Sequence, residues 1–269
     1  MNYYRNTPSY LSGGLSGTSH FGYTAPGGRF DAEFALRAME HELGRVLAVP
    51  EGSLVVDAGC GFGRVAGTLA DDPYRLRVLG VDLVPERLVE ARRYLRECGV
   101  GEGVGLAEAD YCSLPVRDGS IAAVFTMETL VHAASLEGAL GEFWRVLVPG
   151  GRLVLFEYEV QPRGSVGRLR RWLAEDISYR TGMASVERFT PGTLPGLLRD
   201  AGFADVTVRD ISCCVWPSWR WLFWRALRKY WAALLCGGFL RPNLAGSLLI
   251  WPNRRLIGYQ VVTAVKPEN

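Results

Sequence analysis

The chain has 269 residues, enough for one α/β domain with a sizeable core and a small subdomain. Hydrophobic residues make up 48% of it and charged residues 22%, which excludes an intrinsically disordered chain, and a net charge of +2 excludes a strongly basic nucleic-acid binder. The first residues lack the apolar core of a signal peptide, and no stretch reaches the ~20 uncharged apolar residues of a membrane span. We therefore expect a cytoplasmic protein.

Apolar runs alternate with helical patterns along the first part of the chain. Residues 1–50 begin with an irregular arm rich in Gly, Ser, Tyr and Pro and end with a predicted helix over 31–47. The strands and helices predicted after them are, in order, strand 53–57, helix 63–71, strand 78–82, helix 85–98, strand 105–110, strand 121–127, helix 136–147 and strand 152–158. This alternation is typical of a doubly wound, mostly parallel sheet, whose strands all end at one edge, where ligands bind.

The pattern changes after the fifth strand. An arginine-rich stretch, 161–187, precedes a predicted helix that opens after Pro191 and ends near Gly202. Two more apolar runs, 206–211 and 257–265, predict two further strands, and the residues between them are too many for a simple hairpin connection. We expect one domain over 51–269, with the insertions 160–188 and 212–256 forming a substrate lid.

A loop with glycine at every second position follows the first strand, in the sequence Leu54-Val55-Val56-Asp57-Ala58-Gly59-Cys60-Gly61-Phe62-Gly63. Glycine lets backbone N–H groups approach a ligand where a Cβ would collide, and the next helix presents its N-terminus to that ligand. The spacing D-x-G-x-G-x-G differs from the phosphate loop and from the dinucleotide fingerprint G-x-G-x-x-G. Asp82 and Asp110 end the next two strands, and an acid in the position of Asp82 can accept both hydroxyls of a ribose.

The glycine loop, these acids and the segment 143–153 together resemble the class I S-adenosylmethionine-dependent methyltransferases. The resemblance implies a Rossmann-like seven-stranded sheet closed by an antiparallel pair, with an N-terminal helical arm and a C-terminal helical insertion. It also implies S-adenosyl-L-methionine as cofactor and S-adenosyl-L-homocysteine as product. Asp57 would then meet the cofactor's ammonium, Asp82 its ribose and Asp110 its adenine. The cofactor-binding residues predicted in this way are Asp57, Gly59, Gly61, Gly63, Asp82, Leu83, Asp110, Tyr111 and Met127.

Three further segments resemble the sterol methyltransferase and prenyl C-methyltransferase group: T-M-E-T-L-V-H-A at 126–133, F-E-Y-E at 156–159 and T-S-H-F-G-Y at 18–23. This resemblance implies methylation of an alkene carbon in an isoprenoid or terpenoid, such as a prenyl diphosphate, a prenylated natural product or a sterol. The methylated alkene becomes a carbocation, which aromatic faces and a carboxylate stabilise before it loses a proton or cyclises. The candidate catalytic residues are Glu157, Glu128, His132, Tyr23 and His20, with Glu159 as a second choice of base.

Other readings of the same residues stay open at this point. The chain could be an O- or N-methyltransferase of a small natural product or a quinone-like acceptor, in which His132 orients or deprotonates the nucleophile. It could also be a cofactor-binding protein without catalytic activity, or an enzyme in which methylation triggers ring closure. Analysis of the product separates a new C–CH3 bond from a methyl ether or amine.

The segment 216–241 contains aromatic and basic residues and no acid. Such a segment suits a lid over a prenyl chain, a contact in a homo-oligomer or a peripheral contact with a membrane surface. We expect a hydrophobic small-molecule substrate and no nucleic acid as partner. No cluster of Cys, His or Asp has the spacing of metal ligands, so no metal is expected.

Overall fold

A computed structural model of the chain describes residues 18, 20–161, 182–235 and 257–268, and within 226–235 it describes the side chain of Arg228 alone. The predictions made for the start of the arm, for most of the arginine-rich stretch and for the end of the second insertion lie outside these residues. Those predictions concern residues 1–17, 162–181 and 236–256.

Helices and strands alternate along the described residues as the sequence predicts. They are α1 (Ala32–Leu47), β1 (Leu54–Ala58), α2 (Arg64–Ala70), β2 (Arg77–Asp82), α3 (Pro85–Glu97), β3 (Val104–Glu108), β4 (Ile121–Met127), α4 (Leu136–Val146), β5 (Leu147–Val160), α5 (Thr193–Asp200), β6 (Ala204–Asp210), α6 (Ser212–Leu235) and β7 (Ile257–Val265). Side chains cap two of the helices, because Asp31 accepts from the Phe34 N–H at 2.9 Å and Ser135 accepts from the Gly138 N–H at 3.0 Å.

The seven strands form one sheet in the order β3-β2-β1-β4-β5-β7-β6. The first five are parallel to one another, and β7 runs antiparallel to both of its neighbours, β5 and β6. This confirms the predicted mostly parallel sheet with an antiparallel closing pair. The strand order reverses between β1 and β4, and doubly wound folds bind their ligands outside that point.

Strand β5 begins earlier than the sequence predicts. It includes the turn-forming residues 149–151, and its register with β4 shifts there instead of ending. The Gly150 N–H donates to the Lys266 carbonyl and the Lys266 N–H donates to the Gly151 carbonyl, both at 2.9 Å, so the residue that follows β7 pairs with this part of the chain. A local turn signal was therefore overridden by pairing with a distant residue.

Apolar side chains cover both faces of the sheet. On one face α4 and α5 pack over β4 and β5, and on the other face α1, α2 and α6 pack over the same central strands. The arm runs beneath α6, where the Thr24 N–H donates to the Cys214 carbonyl at 2.8 Å and the Gly22 N–H donates to Ser218 Oγ at 3.0 Å. None of the helices described is long and apolar enough to cross a membrane.

Candidate cofactor and active site

Asp57 lies at the carboxyl end of β1 and is 3% exposed. Its Oδ2 atom is buried and has no hydrogen-bond partner among the described residues. Burial raises the pKa of this carboxyl to about 8, and the negative charge of Asp82 adds to the effect. A buried acceptor without a donor is costly, so this atom is suited to a cationic or N–H-bearing ligand.

Side chains of the protein itself pack against the glycine loop. Gly59 has φ of +95°, and a Cβ there would lie 2.7 Å from the side chain of Thr129. The hydroxyl of Thr129 also donates to the Ala58 carbonyl at 2.7 Å. Gly61 has φ of +53° and more open surroundings, with only an Arg87 nitrogen 3.8 Å from a Cβ placed there. Gly61 is therefore the position where a ligand can approach the backbone.

Asp82 is held by two backbone groups at the end of β2. Its Oδ2 accepts from the Gly61 N–H and its Oδ1 accepts from the Val84 N–H, both at 2.9 Å. Each oxygen keeps a second lone pair for a ligand hydroxyl. The neighbouring Leu83 is 38% exposed, which provides an apolar surface beside this carboxylate.

Asp110 and Tyr111 follow β3, as the sequence places them. One oxygen of Asp110 accepts from the Cys112 N–H at 2.8 Å and closes a local turn. The Tyr111 hydroxyl donates to the Thr129 carbonyl at 3.2 Å, and its ring lies 6.1 Å from that of Phe143. Tyr111 thus joins the end of β3 to the turn after β4, while Met127 at the end of β4 is buried in the core.

Glu128 forms the centre of a buried hydrogen-bonded cluster. Its Oε1 accepts from the Phe21 N–H at 2.7 Å and from the Tyr259 hydroxyl at 2.9 Å, and its Oε2 accepts from the Tyr158 hydroxyl. Burial raises the pKa of Glu128, and these donors partly oppose the rise. The residue has φ of +58°, a strained conformation for a side chain with a Cβ. Its neighbour Thr129 touches the glycine loop, so the cluster adjoins the predicted cofactor site.

Glu157 is fully buried and accepts hydrogen bonds from the turn after β4. Its Oε1 accepts from the Thr126 hydroxyl at 2.8 Å, the Leu130 N–H at 2.9 Å and the Thr129 N–H at 3.2 Å. Burial raises its pKa to about 8, so the group is mostly neutral at pH 7. The sequence puts Glu157 first among the candidate bases, and that role stays a prediction; the structure shows its Oε1 bonded to β4 and the turn after it, while its Oε2 has no partner among the described residues. Glu159 lies two residues further along and is half-buried, and burial and the charge of Asp210 raise its pKa.

The two arm residues predicted to be catalytic, His20 and Tyr23, contact different helices. His20 Nε2 lies 3.5 Å from the buried Glu40 carboxylate, which also accepts from Arg64 Nε at 2.7 Å. Tyr23 instead hydrogen-bonds to Cys214, and burial is the main cause of its raised pKa. His20 therefore anchors the arm to α1 and α2, while Tyr23 anchors it to α6. The hydrogen bonds described for the Glu128 carboxylate come from neither side chain, although His20 is near enough to interact with it electrostatically.

His132 lies at the end of the short 3₁₀ turn Leu130–His132, with its Nδ1 3.0 Å from the Gly182 carbonyl oxygen. Burial lowers the pKa of this imidazole to about 4, and the positive charge of Arg87 lowers it further. An imidazole with this pKa is neutral at pH 7 and a weak base.

Sequence reasoning missed four residues that shape the site. Thr129 closes against the glycine loop, Tyr259 completes the Glu128 cluster, Arg64 pairs with Glu40, and the Arg87 guanidinium lies 5.3 Å from the Phe62 ring centre. Two of them had a signal in the sequence: Thr129 lies within the segment 126–133, and Arg87 lies in the first turn of the helix after Asp82. No group of side chains in the described ranges could hold a metal ion.

Comparison with known proteins places these features in context. A family profile for a methyltransferase domain matches residues 56–155. The S-adenosyl-L-methionine-dependent Diels-Alderase iccD of Talaromyces variabilis is 37% identical over 244 residues, covering 87% of this chain and 83% of that protein. A sterol 24-C-methyltransferase of Eremothecium gossypii is 30% identical over 156 residues, covering 58% of this chain and 41% of that protein.

Two solved structures have the same fold over almost the whole chain. The [4+2]-cyclase SpnF has a TM-score of 0.78 and 23% identity, covering 100% of this chain and 95% of that one. A geranyl diphosphate methyltransferase in complex with GPP and sinefungin has a TM-score of 0.75 and 21% identity, covering 98% of this chain and 97% of that one.

Proposed function

Because this chain belongs to the class I S-adenosylmethionine-dependent methyltransferases, we propose that it methylates a carbon–carbon double bond of an apolar isoprenoid or terpenoid substrate. The observation that carries the proposal is the Glu128 cluster, a buried carboxylate between two tyrosine hydroxyls beside the glycine loop. A carboxylate in a water-poor aromatic site stabilises positive charge on carbon and can remove a proton from it. The sterol and geranyl diphosphate methyltransferases among the similar proteins support this substrate class.

The residues at the strand ends fit the cofactor. S-adenosylmethionine supplies an electrophilic methyl group when it is bound. The unpartnered Oδ2 of Asp57 suits its ammonium group, and the two oxygens of Asp82 suit its ribose hydroxyls. The exposed Leu83 and the remaining oxygen of Asp110 suit the face and the amino group of adenine.

Aromatic side chains extend the cluster toward the arm and α6. The ring of Phe21 lies 6.0 Å from that of Tyr158 and 5.6 Å from that of Trp219, both edge to face. Aromatic faces attract a carbocation by roughly 0.5–2 kcal/mol each. In the proposed role, α6 and the arm exclude water from the cation until Glu128 accepts the proton.

The test is a panel of prenyl diphosphate, sterol and prenylated acceptors incubated with methyl-labelled S-adenosylmethionine. We expect label in a new C–CH3 bond, identified by mass and by NMR of the product. A labelled methyl ether or amine would overturn the proposal in favour of O- or N-methylation. For that outcome His132 is the candidate base, and with a pKa of about 4 it would be a weak one.

Glu128→Gln tests the assignment of the base. We expect kcat to fall at least about 100-fold, the contribution of general acid–base groups, while the dissociation constant of the cofactor stays within about twofold. Glu159→Gln is the matched control, since this half-buried acid on β5 takes no part in the hydrogen bonds described for Glu128, and it should keep full turnover. Full turnover of Glu128→Gln would remove Glu128 from the chemistry.

Ring closure without methyl transfer is a second candidate, favoured by the similarity to the Diels-Alderase iccD across 87% of this chain. The same aromatic, water-poor site would fold a polyunsaturated substrate into a reactive conformation. In that case the product has the mass of the substrate and carries no label. S-adenosylhomocysteine would then support the reaction as well as S-adenosylmethionine does.

A further inference from the structure

Helix α6 has two faces with opposite surroundings. Val215, Ser218 and Trp219 are buried on one face. Cys213, Arg220, Trp224 and Arg228 are all exposed, and at 100° per residue they fall within about 80° of the helix circumference. The exposed stripe therefore lies opposite the buried one.

The buried face is already used by the fold. Ser218 Oγ accepts from the Gly22 N–H at 3.0 Å, and the Trp219 ring lies 5.6 Å from that of Phe21. These contacts cover the arm residues that reach Glu128. The exposed stripe takes no part in them.

The exposed stripe has the chemistry of an interfacial helix. The 24 residues of α6 include four basic residues and no acid. Trp224 is 49% exposed, and the Arg225 guanidinium lies 5.1 Å from the Trp221 ring centre at the border of the stripe. Arginine pairs with phosphate, and indole settles at the headgroup level of a bilayer.

We infer that the stripe formed by Arg220, Trp224 and Arg228 binds the surface of membranes that contain anionic phospholipids. Charge complementarity selects this partner over a second copy of the chain. In a twofold contact through the stripe, the arginines of both copies would face each other without an acid to pair with. Bound in this way, α6 lies in the interface plane, with its inner face on the arm and its outer face on lipid.

The test measures binding of the full chain to phosphatidylcholine vesicles, with and without phosphatidylglycerol, by co-sedimentation. Binding is expected only with phosphatidylglycerol, and it should weaken as salt is added because exposed charges are screened. The double variant Arg220→Glu/Arg228→Glu should bind at least about thirtyfold more weakly, since each arginine contributes attraction near an anionic surface. Trp224→Ala should weaken binding at constant charge.

Arg92→Glu/Arg96→Glu is the matched control, because it makes the same change of charge on the exposed face of α3. This control should bind vesicles as the parent chain does, and both double variants should keep the parent's cofactor affinity. Equal binding to neutral vesicles, or full binding by Arg220→Glu/Arg228→Glu, would overturn the inference. So would the absence of vesicle binding together with a dimer that Trp224→Ala dissociates in sedimentation velocity.

Discussion

At the scale of single residues, two buried carboxyl groups have similar pKa values but differ in their hydrogen bonds. Asp57 and Glu157 are both buried, and burial raises the pKa of each to about 8. Oε1 of Glu157 accepts from three donors on β4 and in the turn after it, while its Oε2, like Oδ2 of Asp57, has no hydrogen-bond partner among the described residues. Glu157 is therefore tied to the fold through Oε1, while the position of Asp57 at the end of β1, before the glycine loop, makes its unpartnered Oδ2 the candidate contact for a ligand.

Proton release should reveal the role of Asp57. At pH 7 a carboxyl with a pKa of about 8 is mostly protonated, and a bound ammonium favours its ionised form. Binding of S-adenosylhomocysteine should therefore release about one proton at pH 7, and less above pH 8. Calorimetry in buffers of different ionisation enthalpy measures this number.

Asp57→Asn should abolish the proton release. It should also weaken cofactor binding by about 10- to 100-fold, because it removes a hydrogen bond to a charged group. Asp200→Asn removes an exposed acid at the end of α5 and should change neither quantity. Unchanged proton release in Asp57→Asn would show that another group titrates.

At the scale of elements, a side chain of β5 shapes the turn that follows β4. Glu157 bonds to Thr126, Thr129 and Leu130, and the turn holds Glu128 at a positive φ and Thr129 against Gly59. The cofactor loop and the Glu128 cluster are thus held together through one carboxyl group. Parallel pairing of β4 with β5 brings Glu157 to this turn.

Glu157→Ala should lower the free energy of unfolding by about 3 kcal/mol or more, because it leaves three buried donors without an acceptor at about 1–3 kcal/mol each. Glu157→Gln keeps an acceptor oxygen on a side chain of the same length, so it should lower the free energy of unfolding by less than about 1 kcal/mol at pH 7. Urea unfolding measures both. Equal losses for the two variants would mean that the three hydrogen bonds do not carry the stability.

At the scale of the whole molecule, the buried titratable groups predict how stability depends on pH. The folded pKa values of Asp57 and Glu157, about 8, lie above their ordinary values of 3.8 and 4.5, so the folded state binds more protons between these limits. Stability from these groups is therefore lost as the pH rises through 8. His132 acts in the opposite sense, because folding lowers its pKa from 6.5 to about 4. This group changes the stability only below about pH 6.5.

The cofactor-free protein should therefore lose stability between about pH 6.5 and 8, by up to ~1.4 kcal/mol per pH unit for each carboxyl. Urea unfolding across this range measures the slope. The double variant Asp57→Asn/Glu157→Gln should flatten it, while Asp200→Asn should leave it unchanged. A slope of the opposite sign in the parent chain would contradict the assignment of these two groups.

The amino-acid sequence by itself determined the order of strands and helices, the glycine loop and the acids at the ends of β1, β2 and β3. These features follow from local pattern, since a buried strand, a helix and a positive φ each leave a signal within a few residues. The same local signals could not show that β5 includes Pro149, because hydrogen bonds of Gly150 and Gly151 with the distant Lys266, the residue after β7, extend the strand there.

Only the tertiary structure decided which glutamate holds the fold and which one meets the tyrosines. Glu128, Glu157 and Glu159 look alike in the sequence, and their roles differ because residues far apart in the chain meet each carboxyl. Phe21 and Tyr259 reach Glu128, while Thr126 and Leu130 reach Glu157. The partners of a side chain, and with them its pKa and exposure, depend on long-range packing.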